Sequence, residues 1–216
     1  FFLYLTHYAV HLPIQAKADI TAKYKKKKPV GGHNNPAYAA MIESMDDSIG
    51  AVQATLKRLK LDDNTIVIFF ADNGGHAAVT SNAPLRGSKG MLYEGGIREP
   101  LAIKWPGVTK PGSTCHEPVI AVDFYPTLLE IAGAKRPKNY LLDGVSLTPL
   151  LRDASASLGR AALHWHFPCY LQGYLLRHGP FRTTPAAAIR MGDWKLIEFF
   201  EDGKLELYNL KDDLSE

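Results

Sequence analysis

An apolar run that ends in a short polar motif constrains the fold of this chain more than any other feature. Residues 65–71 read TIVIFFA and are followed at once by Asp72, Asn73, Gly74 and Gly75. A continuous apolar run of this length is typical of a strand that is covered on both faces of an α/β sheet. Because ligands in such folds bind beyond the carboxyl ends of the strands, we expect a functional site at this motif.

Composition sets limits on the class of protein. The chain has 216 residues, of which 46% are hydrophobic, so it can bury a sizeable core as one domain or as a domain with an appendage. The net charge of +3 is too small to predict nucleic-acid binding. The dense basic run at 23–28 predicts a solvated helix end or loop, with a polyanion contact as the alternative. No stretch has the length and apolarity of a membrane span.

The two cysteines give no sign of a metal site. Cys115 and Cys169 lie far apart and lack the spacing of paired metal ligands. We expect free thiols, with one disulfide as the weaker alternative.

The first part of the chain predicts alternating strands and helices. A strand is expected at residues 1–6, and Asn35 is expected to cap a helix that begins at Pro36. The helix is predicted from apolar residues at three- and four-residue steps, namely Tyr38, Met41, Ile42, Met45, Ile49, Val52, Leu56 and Leu59. With the strand at 65–71, this order predicts a βαβ unit with parallel strands. A further strand is expected at 101–105 and a further helix at about 123–133.

The C-terminal part has a different pattern. Short strand-like runs occur near 161–167, 187–191, 194–200 and 204–209, with turns such as Gly192-Asp193 between them. Two-residue turns that contain glycine are typical of β-hairpins. The sequence therefore predicts an α/β part over residues 1–158 and a small antiparallel β subdomain over 159–216.

Four residues are candidates for one site. Oxygen ligands from Asp72 and Asn73 would suit a hard cation such as Ca²⁺, although Asp-Asn-Gly also occurs as a plain turn. Lys89 stands in a glycine-rich loop sixteen residues after Asn73 and would suit an anionic substrate. His11 follows the first predicted strand and is expected at the same rim, unless it is a packed structural histidine. Their convergence favours a site, because structural residues need not share one edge.

Three segments of the sequence resemble the type I, formylglycine-dependent sulfatases of the arylsulfatase kind. They are residues 2–13, 70–75 and 85–100, the last of which reads LRGSKGMLYEGGIREP and is highly specific. Shorter matches at 192–197 and 207–210 extend the resemblance to the end of the chain. It implies the fold of the alkaline phosphatase superfamily, a mostly parallel α/β sheet flanked by helices, followed by a small C-terminal antiparallel sheet.

The resemblance also implies roles for single residues. Asp72 and Asn73 match two ligands of the family's divalent cation, usually Ca²⁺. Lys89 matches the lysine that holds the sulfate, and His11 matches a histidine that contacts the sulfate or its bridging oxygen. His166 precedes a loop that reaches the substrate entrance in similar sulfatases, so it is a candidate substrate-binding residue with a structural role as the alternative. Glu94 and Arg98 are expected to organise their loop.

The nucleophile of this family is absent from the 216 residues. Family members make a formylglycine from Cys or Ser in the pattern Cys/Ser-x-Pro/Ala-x-Arg. Neither Cys115 nor Cys169 fits the pattern, and the run from Ser81 to Arg86 places its arginine one position too late. In a sulfatase this motif lies upstream of the segment that matches residue 1. The chain is therefore expected to be a C-terminal fragment that lacks the nucleophile and is inactive alone.

The expected parent protein is a secreted or periplasmic sulfatase. It would hydrolyse sulfate monoesters of a small molecule or carbohydrate, and the analogy with similar sulfatases, given the aromatic and histidine content of residues 164–178, implies a sulfated polysaccharide. One alternative is a phosphodiesterase or phosphonate hydrolase of the same superfamily. Another is a protein that only binds a cation or an anion.

Overall fold

The computed structural model describes residues 1–172 and 181–216, in which helices and strands are mixed. The helices are α1 Ala18–Lys25, α2 Pro36–Arg58, α3 Glu94–Ile97, α4 Phe124–Ile131 and α5 Thr148–Arg152. The strands are β1 Val67–Phe70, β2 Leu101–Lys104, β3 Leu163–Phe167, β4 Leu171–Gln172, β5 Phe181–Thr183, β6 Ala186–Met191, β7 Trp194–Phe199 and β8 Leu205–Asn209. Residues 173–178 of the segment 164–178, from which a polysaccharide was predicted, lie outside the described part.

The longest helix, α2, begins where the sequence predicts. Asn35 Oδ1 accepts hydrogen bonds from the backbone N–H groups of Ala37 and Tyr38, each at 3.1 Å. Pro36 occupies the first turn, where its missing N–H costs nothing. The cap is confirmed. The predicted apolar face is confirmed in part, because it buries Met41 and Leu56 whereas Ile42 and Leu59 are exposed.

Replacing Asn35 with alanine is expected to lower the free energy of unfolding by about 1 kcal/mol, because two N–H groups at the start of α2 lose their acceptor. Urea unfolding followed by circular dichroism measures the change. Asn35→Asp keeps an acceptor at this position and is the matched control. Equal losses in the two variants would contradict the capping role.

The local parallel βαβ unit is a wrong prediction for the described residues. Residues 1–6 form no strand, and β1 pairs antiparallel with β2, with Val67 opposite Lys104 and Phe70 opposite Leu101. A strand needs a neighbour for its N–H and C=O groups. No described strand lies beside residues 1–6, and Phe1 is 87% exposed.

The predicted C-terminal antiparallel sheet is confirmed. Its strand order is β3-β6-β7-β8, and every neighbouring pair is antiparallel. The core of this sheet contains Ala186, Ala188 and Ile197, all at most 4% exposed. The separate pair β4–β5 lies between β3 and β6 in the chain and packs on the loop that carries Lys89.

The lysine run and the cysteines lie at the surface. Helix α1 ends at Lys25, so the run spans a helix end and the turn after it, as predicted, and Lys23 pairs with Glu43 at 2.6 Å. Cys115 and Cys169 are both exposed free thiols. In the described ranges, no helix has the length and apolarity needed to cross a membrane.

Candidate active site

The loop after β1 lies against the glycines of α3. The backbone N–H of Gly74 donates to the carbonyl of Gly96 at 3.2 Å. A Cβ on Gly74 would stand 1.9 Å from the carbonyl oxygen of Gly95, so only glycine fits this position. The close contact fixes the backbone immediately after Asp72, which is exposed, and Asn73, which is half-buried.

Lys89 is held beside this loop by backbone hydrogen bonds. Its N–H donates to the carbonyl of Gly75 at 3.2 Å. The Asn82 side chain accepts from the Gly75 N–H and donates to the Gly75 carbonyl, both at 3.0 Å, and also donates to the Gly87 carbonyl at 3.3 Å. One amide side chain therefore ties the strand-end loop to the lysine loop, which explains how residues sixteen positions apart share one site.

A large open cleft of about 2320 Å³ brings four of the five predicted site residues together. His11, Asp72, Asn73 and Lys89 all line it. His166 is exposed on β3 with its ring 5.7 Å from that of Phe200, and it is not among the described residues that line the cleft.

The His11 ring has one nitrogen occupied and one available. Nδ1 lies 2.9 Å from the carbonyl oxygen of Leu12. Because a carbonyl only accepts, this contact assigns the hydrogen to Nδ1. Nε2 is then the nitrogen that can bind or release a proton towards a ligand.

Glu99 is a site residue that the sequence reasoning missed. It lines the same cleft, and its Oε1 is buried without a hydrogen-bond partner among the described residues. Burial, together with the negative charge of Asp72, raises the pKa of Glu99 to about 7. A glutamate before a proline carries no sequence signal of this, because its proximity to Asp72 arises only from the pairing of β1 with β2.

The oxygen donors fit a hard cation in kind but not in number. The Asp72 carboxylate and the Asn73 amide are groups that Ca²⁺ prefers, and Glu99, whose Oε1 is buried without a hydrogen-bond partner among the described residues, lies near enough to Asp72 for the two charges to repel. Ca²⁺ takes about six to eight oxygen ligands. The described residues contain no group of three or more His, Cys, Asp or Glu residues that could hold a metal ion.

His76 is a second missed residue. Its Nδ1 accepts a hydrogen bond from the Ala78 N–H at 3.2 Å. Burial lowers the pKa of His76, and the positive charges of Arg182 and Lys89 lower it further. Its position directly after Gly75 could have marked it in the sequence, because it extends the polar motif at the strand end.

A buried ion pair joins the site to the C-terminal sheet. Lys195 on β7 is 0% exposed, and its Nζ lies 2.9 Å from Oε1 of Glu94, which is 2% exposed. The same Nζ lies 2.8 Å from Glu216, and the Glu94 N–H donates to Glu216 at 2.6 Å. Glu94 begins α3, whose glycines contact the Asp72 loop. The C-terminal sheet therefore stabilises the site through this ion pair.

Two tyrosines and an arginine form a second connection between the site and the C-terminal sheet. The hydroxyl groups of Tyr93 and Tyr208 both donate to Glu206 Oε2 at 2.7 Å. The Arg86 guanidinium lies 4.1 Å from the centre of the Tyr93 ring. Burial opposes ionisation of Glu206, but hydrogen bonds from Lys204, Tyr208 and Tyr93 outweigh it and lower the pKa of Glu206 to about 2.

Glu206→Gln is expected to destabilise the protein at neutral pH and to lose this effect in acid. The pKa of Glu206 is lower in the folded chain than its ordinary value of 4.5, so ionised Glu206 stabilises the fold above that value. This contribution is lost as the pH falls from 4.5 towards about 2. Urea unfolding of both proteins between pH 7 and pH 3 measures the difference. A difference that does not shrink in acid would contradict the role of the charge.

Two family models match the chain, one over each part of it. Residues 1–134 match the family described as Sulfatase, and residues 88–216 match the family described as N-sulphoglucosamine sulphohydrolase, C-terminal. A sulfatase of Formosa agariphila is 42% identical over the whole of this chain and 41% of its own length.

Solved structures are similar over most of the chain. Ps i-CgsB has a TM-score of 0.83 and 31% identity, covering 100% of this chain and 44% of that one, and it has also been solved with k-i-k-neocarrahexaose. BT4656, solved with its substrate D-glucosamine-2-N,6-O-disulfate, has a TM-score of 0.67 and 30% identity over 83% of this chain and 34% of that one. A phosphonate monoester hydrolase of Silicibacter pomeroyi is more distant, with a TM-score of 0.61 and 26% identity over 82% of this chain and 34% of its own.

The chain thus spans less than half the length of these proteins. The α/β class predicted from the sequence is confirmed by the likeness to Ps i-CgsB, which extends over every residue range discussed above. The match to the family over residues 1–134, together with the Formosa agariphila relative, identifies this chain as a member of the sulfatase family.

Proposed function

We propose that this chain forms one wall of the active site of a protein that hydrolyses sulfate monoesters. The observation that carries the proposal is the convergence of His11, Asp72, Asn73 and Lys89 on one cleft. A sulfate ester needs a nucleophile, groups that hold the anionic oxygens, and help for the departing alkoxide. The four residues supply the second and third of these.

Lys89 and His11 act on opposite sides of the bond that breaks. The Lys89 ammonium holds non-bridging oxygens of the sulfate and stabilises the charge that builds on them in the transition state. Nε2 of His11 gives a proton to the bridging oxygen as the sulfur–oxygen bond breaks, so that the alcohol leaves neutral. The nucleophile is a formylglycine outside these 216 residues, because no residue here stands in its motif.

Asp72 and Asn73 hold a divalent cation, proposed as Ca²⁺, with the remaining ligands coming from outside these residues. When bound, such a cation polarises the sulfate oxygens and adds to the positive charge around them. The support is the oxygen donor set at the end of β1 and the nearby Glu99, whose Oε1 is buried without a hydrogen-bond partner in the part of the chain that the structure describes.

Ca²⁺ binding by the 216-residue chain is expected to be weak, with a dissociation constant above about 10⁻⁶ M, because two or three oxygens leave most of the shell to water. Isothermal titration calorimetry measures it, with Asp72→Asn as the variant that removes the exposed carboxylate. Tighter binding, or binding that Asp72→Asn leaves unchanged, would contradict this ligand set.

The proposed substrate is a sulfated carbohydrate. BT4656, which is similar over 83% of this chain, was solved with a sulfated glucosamine as its substrate. His166 is proposed as a substrate contact outside the central cleft, on the exposed face of β3. A secreted or periplasmic location is proposed for the whole protein, where such substrates occur.

A phosphonate monoester hydrolase is the second candidate, since one such enzyme shares the fold at 26% identity. The sulfatase reading is favoured because the family match covers residues 1–134 and because 42% identity to a sulfatase extends over the whole chain.

A chimera tests the proposal. This chain replaces the matching C-terminal part of the Formosa agariphila sulfatase, and the product is coexpressed with a formylglycine-generating enzyme. We expect the chimera to hydrolyse an aryl sulfate, and the 216-residue chain alone to show no turnover. Faster hydrolysis of a phenyl phosphonate monoester than of the aryl sulfate would favour the second candidate. Turnover by the isolated chain would overturn the assignment of the nucleophile.

A further inference from the structure

We propose that Lys25, Lys27 and Lys28 bind sulfate groups of the substrate other than the one that is cleaved. The inference rests on the proposed function, because it takes the cleaved sulfate to lie at Lys89 and His11. It narrows the substrate from a sulfated carbohydrate in general to a polymer that carries sulfate groups on several of its sugar units.

Three lysines of the basic run line the same cleft as the proposed catalytic residues. Lys25, Lys27 and Lys28 are exposed and contribute to its wall, whereas Lys26, which is also exposed, is not among the described residues that line it. The sequence allowed two interpretations of this run, a solvated helix end and a contact for a polyanion. Its place at the cleft favours the second.

The turn that follows the run lies against the loop after β1. The backbone N–H of His33 donates to the carbonyl of Val30 at 3.0 Å, which closes a tight turn around Gly32. Nδ1 of His33 lies 3.1 Å from the hydroxyl oxygen of Thr80. A Cβ on Gly32 would stand 2.9 Å from Cβ of Ser81, so the turn and the loop are in close contact.

This contact connects the basic run to the two loops that carry the site. Thr80 and Ser81 directly precede Asn82 in the sequence. The Asn82 side chain donates to the carbonyl of Gly75 at 3.0 Å and to the carbonyl of Gly87 at 3.3 Å. The lysines are therefore positioned relative to the cleaved sulfate by hydrogen bonds that their own side chains do not make.

The balance of charge in the cleft favours an anion with several charges. The described residues that line it include two carboxylates, Asp72 and Glu99, which lie near enough to each other to repel and belong to the proposed cation site. Lys23 is already paired with Glu43 at 2.6 Å, but the three lysines at the cleft form no salt bridge among the described residues. The lysine and arginine residues of the lining number five, namely Lys25, Lys27, Lys28, Lys89 and Arg98.

A polymer with repeated sulfate groups fits three exposed lysines better than a single sugar does. Each ammonium is a compact charge on a flexible stem, so the three can reach sulfate groups at different spacings along a chain. One exposed contact of this kind contributes little. Several contacts with the same polymer add up, because each later contact forms within a molecule that is already bound. A monosaccharide held at Lys89 lacks the additional sulfate groups.

Binding of a fluorescein-labelled dextran sulfate oligosaccharide to the 216-residue chain tests the surface. Fluorescence anisotropy measures the dissociation constant. We expect the triple variant Lys25→Gln, Lys27→Gln and Lys28→Gln to weaken binding by about tenfold, from the loss of three exposed charge contacts. Lys26→Gln, which removes a charge from the same run outside the cleft, should change the dissociation constant by less than about twofold.

A second triple variant controls for net charge. It replaces with glutamine three exposed lysines that do not line the cleft, namely Lys110, Lys135 and Lys211. We expect it to retain binding within about threefold, since charges further than a Debye length from the ligand are largely screened. Equal weakening by the two triple variants would overturn the inference, because net charge alone would then account for binding. A single-stranded oligonucleotide that binds as tightly as dextran sulfate of the same charge would overturn the assignment to a sulfated carbohydrate.

Inhibition of the chimera separates this inference from the proposed function. Dextran sulfate and inorganic sulfate are compared as inhibitors of aryl sulfate hydrolysis. We expect the triple variant at residues 25, 27 and 28 to raise the inhibition constant of dextran sulfate by about tenfold relative to that of inorganic sulfate. Turnover with a ratio that this variant leaves unchanged would overturn the inference alone. If the chimera shows no turnover, binding to the 216-residue chain that depends on the three lysines would support the surface without the sulfatase assignment.

Discussion

Lys89→Ala in the chimera is expected to lower kcat for aryl sulfate hydrolysis by about 10²–10³-fold, the usual cost of removing one group that stabilises transition-state charge. The lysine lies beside the end of β1 because its own N–H donates to Gly75 and Asn82 fixes the same carbonyl. These bonds use the backbone and the Asn82 side chain, so truncation of the lysine side chain leaves the loop in place. The loss should therefore appear in turnover and not in folding.

Two controls separate the charge from the fold. Lys211→Ala removes an exposed lysine outside the cleft and should keep kcat within about twofold. Lys89→Arg keeps the positive charge but spreads it over a planar group, so partial activity is expected because arginine does not replace the compact ammonium at a fitted site. Full activity of Lys89→Ala with unchanged thermal stability would remove Lys89 from the site.

The sequence predicted local structure well where the chain itself supplied the partners. Helix α2 and its Asn35 cap depend on residues within a few positions of one another, and the C-terminal hairpins depend on short turns. The strand expected at residues 1–6 failed, because an isolated strand has no local hydrogen bonds and its formation depends on a neighbour elsewhere.

The site was predicted only in part for a similar reason. Asp72, Asn73 and Lys89 belong to dense, recognisable motifs, and the structure places them with His11 in one cleft. Glu99 reaches the same cleft only through the pairing of β1 with β2. Contacts of that kind depend on tertiary structure, so neither residue type nor spacing in the sequence predicts them.

Lys195 is expected to contribute strongly to the stability of the fold, although nothing in the sequence around it indicates this. Lysine usually lies at the surface, yet Lys195 is 0% exposed and contacts Glu94 at 2.9 Å. Lys195→Met would leave two buried carboxylates, Glu94 and Glu216, without the ammonium that contacts both, and only Glu94 would keep a salt bridge among the described residues, to Arg98 at 3.4 Å. The expected loss in the free energy of unfolding is about 3–5 kcal/mol, the usual cost of removing one partner of a buried pair.

A second substitution and an exposed pair show whether burial causes this loss. Adding Glu94→Gln to Lys195→Met removes one of these two orphaned charges, so urea unfolding should show that the double variant is more stable than Lys195→Met alone. Lys23→Met breaks a shorter contact, 2.6 Å from Glu43, but Lys23 is 54% exposed, so the expected loss is much smaller than that of Lys195→Met. If distance governed these energies, Lys23→Met would be the more damaging change. A larger loss for Lys195→Met, partly restored by Glu94→Gln, would show that burial of the charges, and not the contact distance, determines the loss in stability. It would also show that Lys195 of the C-terminal sheet stabilises α3, on which the Asp72 loop packs.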